Sequence, residues 1–157
     1  MRIRLDIAYD GTHFRGWAKQ PTLRTVQGTL EGALARIVGS DVQFVVAGRT
    51  DAGVHAQGQV AHVDLDDEQW ARVESRNGRA PQDPAASIAR RMRGVLGVYP
   101  DATVTRSSIA PAGFDARFSA VWRRYRYRLA DEATGYDPIR RHDTTSHRGV
   151  LDGDAMD

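Results

Sequence analysis

Ile3, Leu5, Ile7 and Tyr9 alternate with Arg2, Arg4, Asp6 and Ala8, which is the period of a strand with one buried face. Asp10-Gly11-Thr12 then reads as a turn. From Thr25, a good N-cap, the residues Val26, Leu30, Leu34, Ile37 and Val38 recur at helical spacing until Gly39 ends the run. Gly28 and Gly32 fall inside this helix, each costing about 1 kcal/mol relative to Ala, and glycines so placed often mark close packing against a neighbour. A short apolar strand follows over Val42 to Gly48, then a glycine-rich loop, then a strand from about Gln59 to Leu65. Residues 66–84 are polar and acidic, and read as a solvated connection with at most a short helical turn near Trp70. Asp83 ahead of Pro84 opens a second helix, in which Ile88, Met92 and Leu96 keep an i, i+4 stripe up to Gly97. A strand near residues 102–109 comes next.

The order β-α-β-β-α-β predicts an α+β fold of ferredoxin-like or RRM-like type, an antiparallel sheet with two helices on one face and the other face left to carry a site. A further strand, Val121 to Leu129, is expected to extend the sheet. Val121, Arg123, Tyr125, Tyr127 and Leu129 would point one way, and Trp122, Arg124, Arg126 and Arg128 the other. Arginines on one face with aromatics behind them suit phosphate contacts and base stacking. An edge strand blunted by charge has the same pattern. Residues 1–130 read as one unit and residues 131–157, acidic and polar, as the start of a second.

Composition adds a partner class. The chain has 157 residues, one ordinary domain and enough to bury a core. Its net charge of +2 hides an uneven distribution: residues 87–128 carry +7 and residues 129–157 carry −4. All the basic side chains but Lys19 are arginines. A local excess of this kind attracts polyanions, nucleic acid above all. The absence of cysteine excludes disulfide scaffolds, zinc ribbons, thiol catalysis and iron–sulfur ligation. With no long apolar run and no apolar core in the first residues, a cytoplasmic protein without membrane contact is expected.

The chemistry concentrates in Ala47-Gly48-Arg49-Thr50-Asp51-Ala52-Gly53-Val54-His55-Ala56-Gln57-Gly58-Gln59, between two predicted strands. One carboxylate stands beside a guanidinium, a hydroxyl and an imidazole on a loop that a rigid scaffold would hold. Asp51 so placed could serve as nucleophile, general base or metal ligand, or could only bond its own loop backbone in an Asx turn. The loop lacks the Gly-Lys-Ser/Thr ending of a P-loop, which argues against a nucleotide. His55, His62 and His13 do not have metal-site spacing.

At these residues the chain resembles the tRNA pseudouridine synthase A family. The likeness runs through Ile7-Ala8-Tyr9-Asp10-Gly11-Thr12-His13-Phe14-Arg15-Gly16-Trp17 and Thr25-Val26-Gln27-Gly28-Thr29-Leu30-Glu31. It is sharpest at Ala47 to Ala56 and resumes at Phe114-Asp115-Ala116-Arg117-Phe118-Ser119-Ala120 and Arg124-Tyr125-Arg126-Tyr127. The resemblance implies an isomerase without cofactor or metal, converting uridine to pseudouridine in the tRNA anticodon stem-loop and acting as a homodimer. It places Asp51 at the essential aspartate, Arg49 at a conserved arginine and Tyr125 at a conserved tyrosine. Asp51 would then need to be ionised, which a neighbouring guanidinium favours. Arg124, Arg126, Arg128 and His55 are candidate RNA contacts. Asp115 departs from the histidine of many relatives. Members run to roughly 250 residues, near two domains by size, so an incomplete pseudouridine synthase fold is implied. An RNA-binding fragment without turnover is the alternative.

Overall fold

The N-terminal alternation becomes strand β1 (Arg2–Tyr9), with Ile3, Leu5, Ile7 and Tyr9 buried and the residues between them half-exposed. The computed structural model describes residues 1–75, 83–97 and 100–156. Helix α1 (Val26–Val38) begins where the Thr25 hydroxyl accepts the Gly28 N–H, and ends at Gly39 in the left-handed region. A side chain on Gly39 would also collide with the Arg72 guanidinium. Gly32 has nothing near enough to touch an added Cβ, so it marks tolerance rather than the close packing expected of it.

Strands β2 (Phe44–Val46) and β3 (Ala56–Asp64), helices α2 (Asp67–Glu74) and α3 (Pro84–Leu96), and strand β4 (Ala102–Ile109) complete the layer. The sheet order is β2-β3-β1-β4 with every neighbouring pair antiparallel. This is the ferredoxin-like arrangement predicted from the element order. Cross-strand partners share a face, so Leu5 with Ala61 and Ile3 with Val63 look toward the helices. There they meet Leu30, Leu34, Ile88 and Met92, all fully buried. Burial of each such large side chain stabilises the layer by about 1.5–3 kcal/mol.

Among the described residues there are three α-helices, not the two expected, and α2 packs against α1 and α3. Helix α2 occupies what read as a solvated connection, and its cause is local. The Asp66 side chain accepts the Gln69 N–H at 2.8 Å, while the Gln69 side chain accepts the Asp66 N–H at 3.0 Å. This capping box satisfies two N-terminal donors at once, and Val73 then buries its side chain completely. The stretch at residues 76–82 of the same expected connection lies outside the described residues.

The opposite sheet face is not wholly open. His62, 2% exposed, accepts the Ala116 N–H at its Nδ1 over 3.0 Å, and packs edge-on against Phe114. Arg2 Nη1 donates to the Phe114 carbonyl at 2.7 Å. Residues 114–116 therefore cover part of the face that was expected to be free. Burial, and next the nearby Arg2, hold the His62 pKa below its ordinary value.

The chain forms two compact units, Met1–Val121 and Trp122–Asp157. The expected strand at residues 121–129 does not extend the sheet. Residues 121–128 form no strand. Only β5 (Leu129–Ala130) pairs, in parallel, with β6 (Thr145–Ser146). Alternation gives a segment two faces but not a partner, and backbone groups without one remain with water. Tyr127 on one face is 87% and Trp122 on the other 75% exposed, so neither face is buried. The second unit is knit by its own turns: the Asp131 carboxylate takes the Leu151 N–H and both the N–H and hydroxyl of Thr134. These bonds, the one from Leu151 first, lower its pKa to about 2.

Candidate functional site

The glycine-rich loop leaves β2 and enters β3 at the end of the sheet where β1 finishes. It is locked to a second loop, residues 10–17. Trp17 N donates to the Thr50 carbonyl at 2.9 Å and Gly53 N to the Phe14 carbonyl at 3.3 Å. Gly11 N donates to His55 Nδ1 at 3.2 Å. Two glycines permit the approach. A Cβ on Gly11 would stand 2.1 Å from the Val54 carbonyl oxygen, and one on Gly16, whose φ is +85°, would stand 3.0 Å from that of Thr50.

The second loop is in turn fixed to α1 and β4. Val26 N and Gln27 N, in the first turn of α1, donate to the Gly16 and Trp17 carbonyls. Arg24 forms a two-point pair with Asp101 at 2.6 and 2.7 Å, and its guanidinium lies over the Phe14 ring. Hydrogen bonding to Asp101 raises the Arg24 pKa. On the other side, the buried Glu31 carboxylate accepts the Phe44 N–H at 2.9 Å, fixing the start of β2. Lys19 lies 3.4 Å from that carboxylate.

Against this fixed backbone the chemistry-bearing side chains face outward. Asp51 and Arg49 are exposed. Among the described residues the Asp51 carboxylate has no hydrogen bond or ion pair, and none joins it to Arg49. The Asx turn is therefore not its role: the Val54 N–H bonds the Asp51 backbone carbonyl and the Gly53 N–H goes to Phe14. The guanidinium expected beside the carboxylate stands apart from it.

Three side chains given no role from the sequence alone, Thr50, Tyr9 and Gln59, secure the loop from within. Thr50 Oγ1 lies 2.8 Å from the Tyr9 hydroxyl, and Gln59 Nε2 donates to that hydroxyl at 3.3 Å and to the Gly48 carbonyl at 2.7 Å. A signal was present. Tyr9 sits at a core-facing strand end, where a buried phenol needs a partner, and Gln59 shares the parity of Ala61 and Val63.

The remaining predicted residues are spread out. His55 is half-buried, and its Nδ1, by accepting the Gly11 N–H, joins the two loops. Tyr125, 68% exposed, belongs to the second unit with Arg124, Arg126 and Arg128. Arg124 lies over the Trp122 ring. Arg128 is engaged by Asp143 at 2.6 Å. A cavity of about 370 Å³ lined by Arg36, Ile37, Arg72, Ser75, Arg91 and Val95 contains none of the loop residues. Among the described residues no three His, Asp or Glu side chains are grouped to hold a metal ion, and no helix is long and apolar enough to cross a membrane.

These features define an α+β protein that presents one acid on a fixed loop at the end of a ferredoxin-like sheet. The family model described as tRNA pseudouridine synthase matches residues 7–94. A tRNA pseudouridine synthase A of Leifsonia xyli subsp. xyli is 59% identical over 160 residues, covering 99% of this chain and 56% of its own length. Enzymes of the same name from Streptomyces griseus and Frankia casuarinae are 49% and 50% identical, each over 99% of this chain and 51% and 52% of their own lengths. The chain belongs to the tRNA pseudouridine synthase family. It spans about half the length of the curated relatives it matches.

Proposed function

We propose that this chain provides the part of a tRNA pseudouridine synthase that carries the reactive acid, Asp51, and acts on uridine in the anticodon stem-loop. The observation that carries the reading is the Asp51 carboxylate itself, exposed and uncommitted on a backbone fixed from both sides. A side chain held ready in this way suits a group that must meet a reacting atom rather than support a turn.

The chemistry assigns each group a task. A uridine in or beside a stem must first be flipped out, at a cost of a few kcal/mol. Arg49, exposed two positions before Asp51, is suited to hold the displaced phosphate backbone or fill the vacated space. Asp51 acts in its ionised form, as nucleophile or as the base that starts sugar deprotonation. The bond from N1 to C1′ breaks, C5 joins C1′, the C5 proton passes to solvent and N1 gains a proton. Tyr125 offers its ring to the uracil and its hydroxyl to the transfer of that C5 proton. Arg124, Arg126 and Arg128 add phosphate contacts, which supply affinity without reading sequence. No cofactor or metal is required. The full-length protein is read as cytoplasmic from its composition and as a homodimer from its resemblance to the family.

The test follows tritium release from C5-labelled uridine in an unmodified tRNA by the full-length protein. Asp51→Ala is expected to abolish release while leaving tRNA bound; release at the wild-type rate would overturn the assignment. The share of the relatives that this chain covers favours a second reading for the 157 residues alone, RNA binding without turnover. Turnover by those residues at the full-length rate excludes it.

A further inference from the structure

We propose that Tyr9 and Gln59 are positioning residues for Asp51, acting through the Gly48 carbonyl and the Thr50 hydroxyl; the proposal rests on the reading of Asp51 given above. The device begins with a fault in strand pairing. Ile7 stands opposite Gln59, yet Tyr9 stands opposite Ala56, so β3 places Gln57 and Gly58 where β1 places Ala8 alone. A bulge of this kind bends its strand and re-aims the side chains beside it. Here it falls between Gln59 and Ala56, just past the last regular pair, Ile7 with Gln59, whose register keeps Gln59 on the helix-covered face and in reach of the Tyr9 hydroxyl.

From that position the Gln59 amide makes two donations, to the Tyr9 hydroxyl and, at 2.7 Å, to the Gly48 carbonyl. The phenol oxygen lies 2.8 Å from Thr50 Oγ1. The bonds therefore enter the loop at Gly48 and Thr50, on either side of Arg49 and immediately before Asp51. The Tyr9 ring packs against Trp17, centroids 6.0 Å apart, and Trp17 N holds the Thr50 carbonyl. Thr50 is thus pinned through its side chain and its backbone. The loop is held without using a lone pair of the Asp51 carboxylate, which stays available for the uridine. Misplacing a reacting group by about 1 Å costs on the order of 100-fold in rate, so loosening this chain should lower turnover more than it weakens tRNA binding.

The experiment uses isosteric changes in the full-length protein. Tyr9→Phe keeps the ring against Trp17 and removes only the hydroxyl; Gln59→Glu keeps the shape and removes the donor; Thr50→Val removes the last link and Thr50→Ser restores it. Tritium release is expected to fall roughly 10- to 100-fold in kcat for the first three, with KM for tRNA unchanged, and to recover in Thr50→Ser. The Gly53 and Val54 amides should exchange faster with solvent in Tyr9→Phe, while those in the middle of β1 and β3 do not. Wild-type kcat in Tyr9→Phe and Gln59→Glu, alongside an inactive Asp51→Ala, overturns the positioning role alone. So does a rise in KM at constant kcat, or unchanged exchange at Gly53 and Val54. Wild-type turnover in Asp51→Ala instead removes the reading beneath it.

Discussion

The Asp51 loop and the arginine-rich segment at residues 122–128 offer the same kinds of side chain to solvent, and they are built in opposite ways. The loop has no regular structure, yet its backbone is bonded to residues 10–17, to β3 and to the Tyr9 hydroxyl chain. The segment has the alternation of a strand, yet its pairing begins at its very end, where the Arg128 carbonyl accepts the Thr145 N–H and β5 meets β6. Exposed chemistry therefore does not reveal whether a group is pre-organised. The deciding feature is where the backbone bonds go, and at the loop they go to a scaffold whose core residues are fully buried.

The largest expected effect comes from breaking the loop's close approach. In Gly11→Ala the new methyl would meet the backbone carbonyl of Val54, so one loop must move off the other. A loss of about 1–3 kcal/mol in urea unfolding of the first unit is expected, the usual cost of overpacking. Tyr127→Ala, at an exposed side chain of the contrasting segment, should stay within about 0.5 kcal/mol. Equal effects at the two positions would remove the distinction between them.

Much of the scaffold could be read from the chain because its causes are local. Alternation placed β1, Thr25 and Gly39 bounded α1, and Asp83 with Pro84 opened α3. Helix α2 was legible too, since Asp66 and Gln69 have capping-box spacing, but the acidic composition around them suggested solvent instead. The loop's reactive residues stand together in sequence and so could be found. Its supports were legible only in part: parity shows the face that Tyr9 and Gln59 take, but Tyr9 meets Thr50 across 41 positions and Gln59 across 50, and no local pattern names such distant partners. The failed strand has the complementary cause, because pairing requires a second segment that the alternation of the first does not name.

The next effect separates the covered part of the open sheet face from the exposed segment beyond it. His62 accepts the Ala116 N–H only while Nδ1 is unprotonated. Facing it are Arg2 and Arg4 from β1, Asp64 from β3 and Asp115 from the covering residues. Its folded pKa lies below the unfolded 6.5, so the unfolded chain binds more protons between the two values. Stability of the first unit should then be complete above pH 6.5 and decline as pH falls through the folded value. His62→Asn, which offers a carbonyl in place of Nδ1, should flatten that part of the profile. An unchanged slope would mean that another group produces it.

The smallest effect belongs to the second unit and asks whether its turns are fixed at all. Asp131, half-buried, collects the Leu151 N–H and two donors from Thr134, and these bonds lower its pKa from 3.8 to about 2. Folded ionised Asp131 is thus favoured over the open chain above pH 3.8, and that preference is lost as pH falls through about 2. In an acid titration followed by amide chemical shift, Leu151 N–H should respond with a midpoint near 2. A midpoint at the ordinary 3.8 would mean that the turn opens in solution, extending the loose character of residues 122–128 past β5. The expected value would instead mark the turns from β5 onward as fixed, in contrast to the residues before Arg128, whose alternation met no strand partner.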